Sequence, residues 1–382
     1  MSRRPVLASS AASLSRRTLL AAAAQAVVAG AAFGQTGGGD ATPPLRRLAE
    51  ARGLIYGAAI LPQIFPKDPT YETLAARECG LLACSRAHWD EIAPTPDKAR
   101  YELVDLDYAW ALSHRMEFLA QGLVWHERPA PWFNEIADRT AAIKAIEDFS
   151  KRTCQHFAGR VYAWIVVNEA IQPVDGRSDG LRNSLFMKKI GPEYIDVTFR
   201  AAREGDPKTK LVYNDYDLEL DIDFHEVRRK SLLMLLDDFK KRGTPVDVVG
   251  IQSHLRASLF PRHFNERLFS KFLDELAARG YEIQLSELDV IDKGAPSDIA
   301  KRDADVAAIY QRFLDVALAH PAVKCVVTWG LTDRYTWVGV EPYVDTRRTD
   351  GLPPRPHPFD ADYRPKPAYA AMAQAFAAAP KR

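Results

Sequence analysis

From residue 52 onward the chain alternates short apolar runs with longer amphipathic segments. The runs occupy residues 54–60, 81–83, 117–125, 161–167, 210–213, 246–251, 282–285 and 324–329. Their length and their content of Val, Ile, Leu and aromatic residues predict strands. Their near-continuous apolar character predicts a sheet covered on both faces. Between them lie helical periodicities: Leu232, Leu233, Leu236 and Phe239 mark one apolar face, and Leu268, Phe272 and Leu276 another. Strands that alternate with helices form parallel βαβ units. Eight such units in one chain predict an α/β fold, a single-domain (β/α)8 TIM barrel with enlarged loops.

The first 40 residues follow a different pattern. Ser15-Arg16-Arg17-Thr18-Leu19-Leu20 precedes an uncharged Ala/Val-rich run over 21–32. That run falls short of the roughly 20 residues needed to span a bilayer, so it predicts an export signal and no membrane anchor. The paired arginines give it a twin-arginine character. The expected organisation is a signal over 1–34, a Gly-rich linker over 35–44 and one folded domain over 45–382, in a periplasmic or secreted bacterial protein. With 51 Lys+Arg against 50 Asp+Glu, the formal charge of +1 argues against a nucleic-acid partner. A hydrophobic content of 47% argues against disorder. Cys79, Cys84, Cys154 and Cys325 lack metal spacing and are too few for a disulfide scaffold. Cys79 and Cys84 could pair only if the turn between them brought their backbones together. A monomer without cofactor or metal is expected.

In a barrel of this kind the chemistry sits at the carboxyl ends of the strands. Here those ends read Asn168-Glu169 on the fourth strand, Asn214-Asp215-Tyr216 on the fifth, Gln252-Ser253-His254 on the sixth, Ser286-Glu287-Leu288-Asp289 on the seventh and Thr328-Trp329 on the eighth. One glutamate at a strand end is most often an ion-pair partner, and one tryptophan most often packs. Polar clusters at the same end of five successive strands are not what burial selects. Glu169 and Glu287 share one rim, and paired carboxylates with aromatic platforms are the equipment for cleaving a glycosidic bond. The first strand offers no His-x-His pair, which disfavours a metal-dependent hydrolase.

The motif Trp164-Ile165-Val166-Val167-Asn168-Glu169-Ala170 resembles the acid/base motif of family 10 glycoside hydrolases, the (β/α)8 endo-1,4-β-xylanases, and Leu285-Ser286-Glu287-Leu288-Asp289-Val290 resembles their nucleophile motif. The likeness continues through Leu123-Val124-Trp125-His126, Tyr213-Asn214-Asp215-Tyr216, Gly250-Ile251-Gln252-Ser253-His254-Leu255 and Val327-Thr328-Trp329-Gly330-Leu331-Thr332-Asp333. It ends at Tyr363-Arg364-Pro365-Lys366-Pro367-Ala368-Tyr369 and so covers nearly the whole predicted domain. The resemblance implies a retaining glycanase with Glu169 as acid/base and Glu287 as nucleophile, acting on a xylan-type polysaccharide. Asn168 would bond the sugar 2-hydroxyl, and His254 would bond Glu287 with Asp289 behind it. Trp125, Gln252, Trp329 and Trp337 would line the glycone side and Tyr216 the leaving side. A non-catalytic sugar-binding barrel would be expected to have lost Glu169, Asn168 or Glu287, and none is lost.

The sequence departs from the family in two places. Where the family carries Glu-Asn, two residues, then Lys before Trp, this chain reads Cys84-Ser85-Arg86-Ala87-His88-Trp89. Where the family carries Arg-Gly-His-Thr, it reads Leu119-Ala120-Gln121-Gly122. These exchanges predict altered sugar selection at a wall formed by His88, Trp89 and Gln121, with small Cys84 and Ser85 leaving room for a bulkier sugar and a different β-glycan as the alternative substrate. His88 would add a group that titrates near about 6.5.

Overall fold

The computed structural model describes residues 43–382, so the expected signal and most of the expected linker lie outside the described residues. The strands are β1 (Ile55–Ala59), β2 (Leu81–Cys84), β3 (Glu117–Trp125), β4 (Ala163–Asn168), β5 (Lys210–Asp215), β6 (Val248–Ile251), β7 (His254–Arg256), β8 (Glu282–Ile291) and β9 (Val323–Thr328). Every neighbouring pair is parallel. The ladder β1-β2-β3-β4-β5-β6-β8-β9 closes where β9 pairs with β1, a ring of eight. All eight apolar runs are barrel strands, and the (β/α)8 expectation holds. The ninth strand, β7, continues β6 beyond a break at Gln252 and Ser253 and pairs with the far half of β8.

Alternation along the strands sorts side chains into two cores. Leu81, Ala83, Leu119, Ala163, Ile165, Val212, Val248, Cys325 and Val327 fill the barrel. Their neighbours Leu82, Phe118, Trp164, Leu211 and Tyr213 pack outward against the helices. Both faces of the sheet are therefore dry, as the continuous apolar runs require. The helix Asp223–Arg242 buries Leu232, Leu236 and Phe239, and its C-cap Gly243 takes the left-handed φ of 63° that glycine adopts without a Cβ penalty. The helices Arg139–His156, Glu266–Ala278 and Ile299–Ala319 start where Asp138, Asn265 and Asp298 accept a backbone N–H of the first turn. None of the described helices is long and apolar enough to cross a membrane. The four cysteines are buried and free, so Cys79 and Cys84 do not pair.

Candidate active site

Strict alternation would turn Asn168 outward, because Ile165 faces the barrel interior. The register of β4 slips between Ile165 and Val167, so Val166 and Val167 both join the outer core and Asn168 turns inward. The same device operates on β8. Its register slips between Leu285 and Leu288, and Ser286 and Glu287 both reach the interior, where they meet Asn214. Glu169 follows with a left-handed φ of 57° and Ser253 with 65°. Such backbone is costly for residues other than glycine and persists where surrounding bonds fix it. For Glu169 those bonds are its N–H to the Asn214 carbonyl at 2.9 Å and the Arg182 Nε that its own carbonyl accepts at 2.9 Å.

The mouth of the barrel holds a cavity of about 390 Å³. Asn168, Glu169, Tyr216, Gln252, His254, Glu287, Trp125, Trp329, Trp337, His88 and Gln121 all line it. One amide network joins the two glutamates. Asn214 Nδ2 donates to Glu287 Oε1 at 2.8 Å and to Asn168 Oδ1 at 2.9 Å. Asn168 Nδ2 and Gln252 Nε2 then donate to Glu169 Oε1 at 3.0 and 2.9 Å. Asn214 sits where Gly250 leaves space, since a Cβ at residue 250 would lie 2.1 Å from its Oδ1.

The glutamates stand in different surroundings. Burial pushes the Glu169 carboxyl up to about 7; the Gln252 bond and the nearby Trp125 indole N–H oppose the rise, and Asp215 and Glu287 add to it. Glu287 accepts Gln121 Nε2 at 3.2 Å and has His254 Nε2 at 3.4 Å from its other oxygen. His254 Nδ1 lies 3.0 Å from Asp289, whose second oxygen accepts Trp337 Nε1 at 2.6 Å. Burial works against charge on His254, but Asp289 and Glu287 outweigh it and raise the imidazole to about 10. Tyr216 is fixed from outside the barrel. Asp215 faces outward into a buried pair with Arg228, whose guanidinium lies 3.9 Å from the Tyr216 ring centroid.

Four expectations are corrected here. Trp89 is not in the cavity: it is fully buried and stacked on Phe149 at 4.9 Å and 12°, with Phe133 and Trp132 around it. Cys84 faces the outer layer, where its thiol meets Asp107 at 3.7 Å, and Ser85 does not line the cavity either, so neither enlarges it. His88 is not a titrating group near neutrality, since burial and the nearby Arg128 hold its imidazole down at about 3. Its ring lies so close to Gly122 that a Cβ there would be 2.0 Å from Nδ1. Gln121 does line the wall, and it also bonds Glu287 directly, a contact invisible in the residue pattern. His126, Arg182 and Arg256 were not singled out, yet all three line the cavity. His126 was visible beside Trp125, whereas Arg182 and Arg256 stand in no recognisable motif.

A parallel (β/α)8 barrel whose mouth carries two glutamates, one raised by burial and one held by donors, amid tryptophans, defines a glycoside hydrolase. Comparison with known proteins specifies it further. The family model for glycosyl hydrolase family 10 matches residues 44–375. Endo-1,4-beta-xylanase B of Thermotoga neapolitana is 31% identical over 337 residues, covering 86% of this chain and 90% of that protein. Among solved structures, xylanase 10B of Thermotoga maritima is 30% identical with a TM-score of 0.77, covering 87% of this chain and 98% of that one. Xylanase 10B of Thermotoga petrophila RKU-1, solved with xylobiose, is 30% identical with a TM-score of 0.78 over 89% and 98%. The chain belongs to glycosyl hydrolase family 10.

Proposed function

We propose that this chain is a retaining endo-β-1,4-glycanase acting on a xylan-type polysaccharide. The observation that carries the reading is the contrast between its two carboxyl groups. Glu169, held protonated up to about pH 7 by burial, is suited to give its proton to the leaving oxygen. Glu287, ringed by Gln121, Asn214 and His254, is suited to attack the anomeric carbon and form a glycosyl-enzyme ester. In the second step Glu169 takes a proton from water, which attacks the same carbon and releases Glu287 with net retention. Asn168 presents its amide to the sugar 2-hydroxyl, and Asp289 keeps His254 charged and aimed at Glu287. Trp125, Trp329 and Trp337 support the glycone sugars, and Tyr216 the leaving side.

A second reading keeps the chemistry and changes the glycan. It is favoured by the neutral wall of His88 and Gln121, where the family carries Lys and His. Twin-arginine export of the already folded enzyme, through the arginine pair near the start of the chain, and a monomeric state complete the proposal. The test is incubation with a panel of β-glycans, with product masses and the anomeric configuration of the first-formed product followed by NMR. Retained configuration with oligomers from xylan is expected; inversion, or no hydrolysis of any β-1,4-glycan, overturns it.

A further inference from the structure

The side of the cavity formed by β5, β6 and β7 carries a cation that the hydrolytic chemistry does not use. Along β7, Leu255 is 2% exposed in the outer core, and its neighbours His254 and Arg256 both line the cavity. Arg256 is half-buried. Among the described residues no side-chain hydrogen bond reaches its guanidinium and no carboxylate comes within 4.0 Å of it. The other arginine of the cavity is committed: Arg182 bonds the Glu169 carbonyl and the Tyr216 hydroxyl. Asp217 shares the wall with Arg256, but its carboxylate approaches His225 Nε2 at 3.6 Å instead. Partial burial of an unpaired guanidinium is unfavourable unless a ligand completes its bonding, and its planar fork matches a carboxylate.

The position identifies the part of the substrate it would meet. Trp125 ends β3, and Trp329 and Trp337 lie in the segment after β9. Arg256 lies across the ring from β1 and β2, on the side of Tyr216, with Ile291 beside it. We infer that Arg256 forms an anion subsite on the leaving-group side of the cleft, which takes the carboxylate of a uronic acid substituent on the glycan. The inference rests on the reading of the cleft as a β-glycanase site.

The test uses a β-1,4-xylan with glucuronic acid branches and the same polymer after reduction of its carboxyl groups, which keeps size and removes charge. For the unaltered enzyme kcat/KM should favour the charged polymer by about tenfold at low salt, and the preference should shrink as salt rises. Arg256→Gln should bring the ratio near one, and Arg256→Lys should retain part of it. Equal rates of the unaltered enzyme on both polymers, or an equal loss on both in Arg256→Gln, would overturn the subsite and leave the glycanase reading standing. Calorimetric binding of a glucuronic-acid-branched xylooligosaccharide separates the two ideas: weaker binding by Arg256→Gln supports the subsite even if no polymer is cleaved, and unchanged binding sinks it.

Discussion

Gln252 restrains the proton affinity that burial confers on Glu169, and its removal should move the pH dependence in a defined direction. Its Nε2 donates to Glu169 Oε1 at 2.9 Å, a bond that favours the charged carboxylate and restrains the rise due to burial. A bond to a charged group contributes about 1.5–3 kcal/mol, part of which survives when the carboxyl is neutral. A difference of about 1.4 kcal/mol between the two states corresponds to one pH unit. In the unaltered enzyme, kcat/KM on an unactivated xylooligosaccharide should fall about tenfold per pH unit above the Glu169 value of about 7, because only the protonated acid assists departure. Gln252→Leu should carry that alkaline limb about one unit higher while lowering the plateau, since a cavity-lining amide is lost. The assay is a kcat/KM profile from pH 4 to 10 on xylotetraose, paired with an aryl glycoside whose leaving group needs no proton and whose first step should lack the limb. An alkaline limb that stays in place, or moves toward acid, in Gln252→Leu refutes the argument.

Glu169→Ala and Glu287→Ala should each abolish polymer hydrolysis but differ on an activated aryl glycoside: the first shows a burst followed by slow turnover, the second no covalent intermediate by mass spectrometry. Glu169→Gln should stabilise the fold in alkali. The folded carboxyl holds its proton to about 7 where an ordinary one loses it near 4.5, so wild-type stability falls as pH rises through that window. The accumulated penalty is about 3 kcal/mol at pH 8, so the thermal midpoint of Glu169→Gln should exceed wild type at pH 8 and match it at pH 4. Gln121→His should raise kcat/KM on unsubstituted xylan if the altered wall only weakens a xylanase, and lower activity on the preferred glycan if that wall was shaped for another sugar; a panel of β-glycans decides.

The barrel was legible in the sequence because a strand dry on both faces must be apolar throughout, and eight such runs have few alternative packings. The polar residues at their ends were legible for the complementary reason, that burial does not select them. The aim of each side chain was not. Asn168 and Glu287 face inward only because β4 and β8 slip register, and a slip of one residue leaves composition unchanged while it reverses which face each residue joins. Cys84 ends β2 and, by plain alternation with the inward Ala83, points into the outer core, while the chain turns after β2 and carries Trp89 into the same layer despite its adjacency to His88. His88 differs, since its identity is visible in sequence and its burial is not.

The pair His254 and Asp289 shows why the site depends on more than its two glutamates. Asp289 bonds the imidazole at 3.0 Å and Trp337 at 2.6 Å, so one buried carboxylate holds both the cation beside Glu287 and a wall of the glycone side. Asp289→Asn keeps the shape and one acceptor but removes the charge. His254, raised to about 10 against the effect of its own burial, should then lose its proton at much lower pH, because burial opposes charge and Glu287 alone remains to support it. The stability drawn from that charge is present below the ordinary histidine value near 6.5 and lost as pH rises toward about 10, so Asp289→Asn should destabilise the protein most in acid. NMR titration of the His254 ring reads the change directly, and a histidine still charged at pH 9 in Asp289→Asn would show that Glu287, and not Asp289, holds the proton.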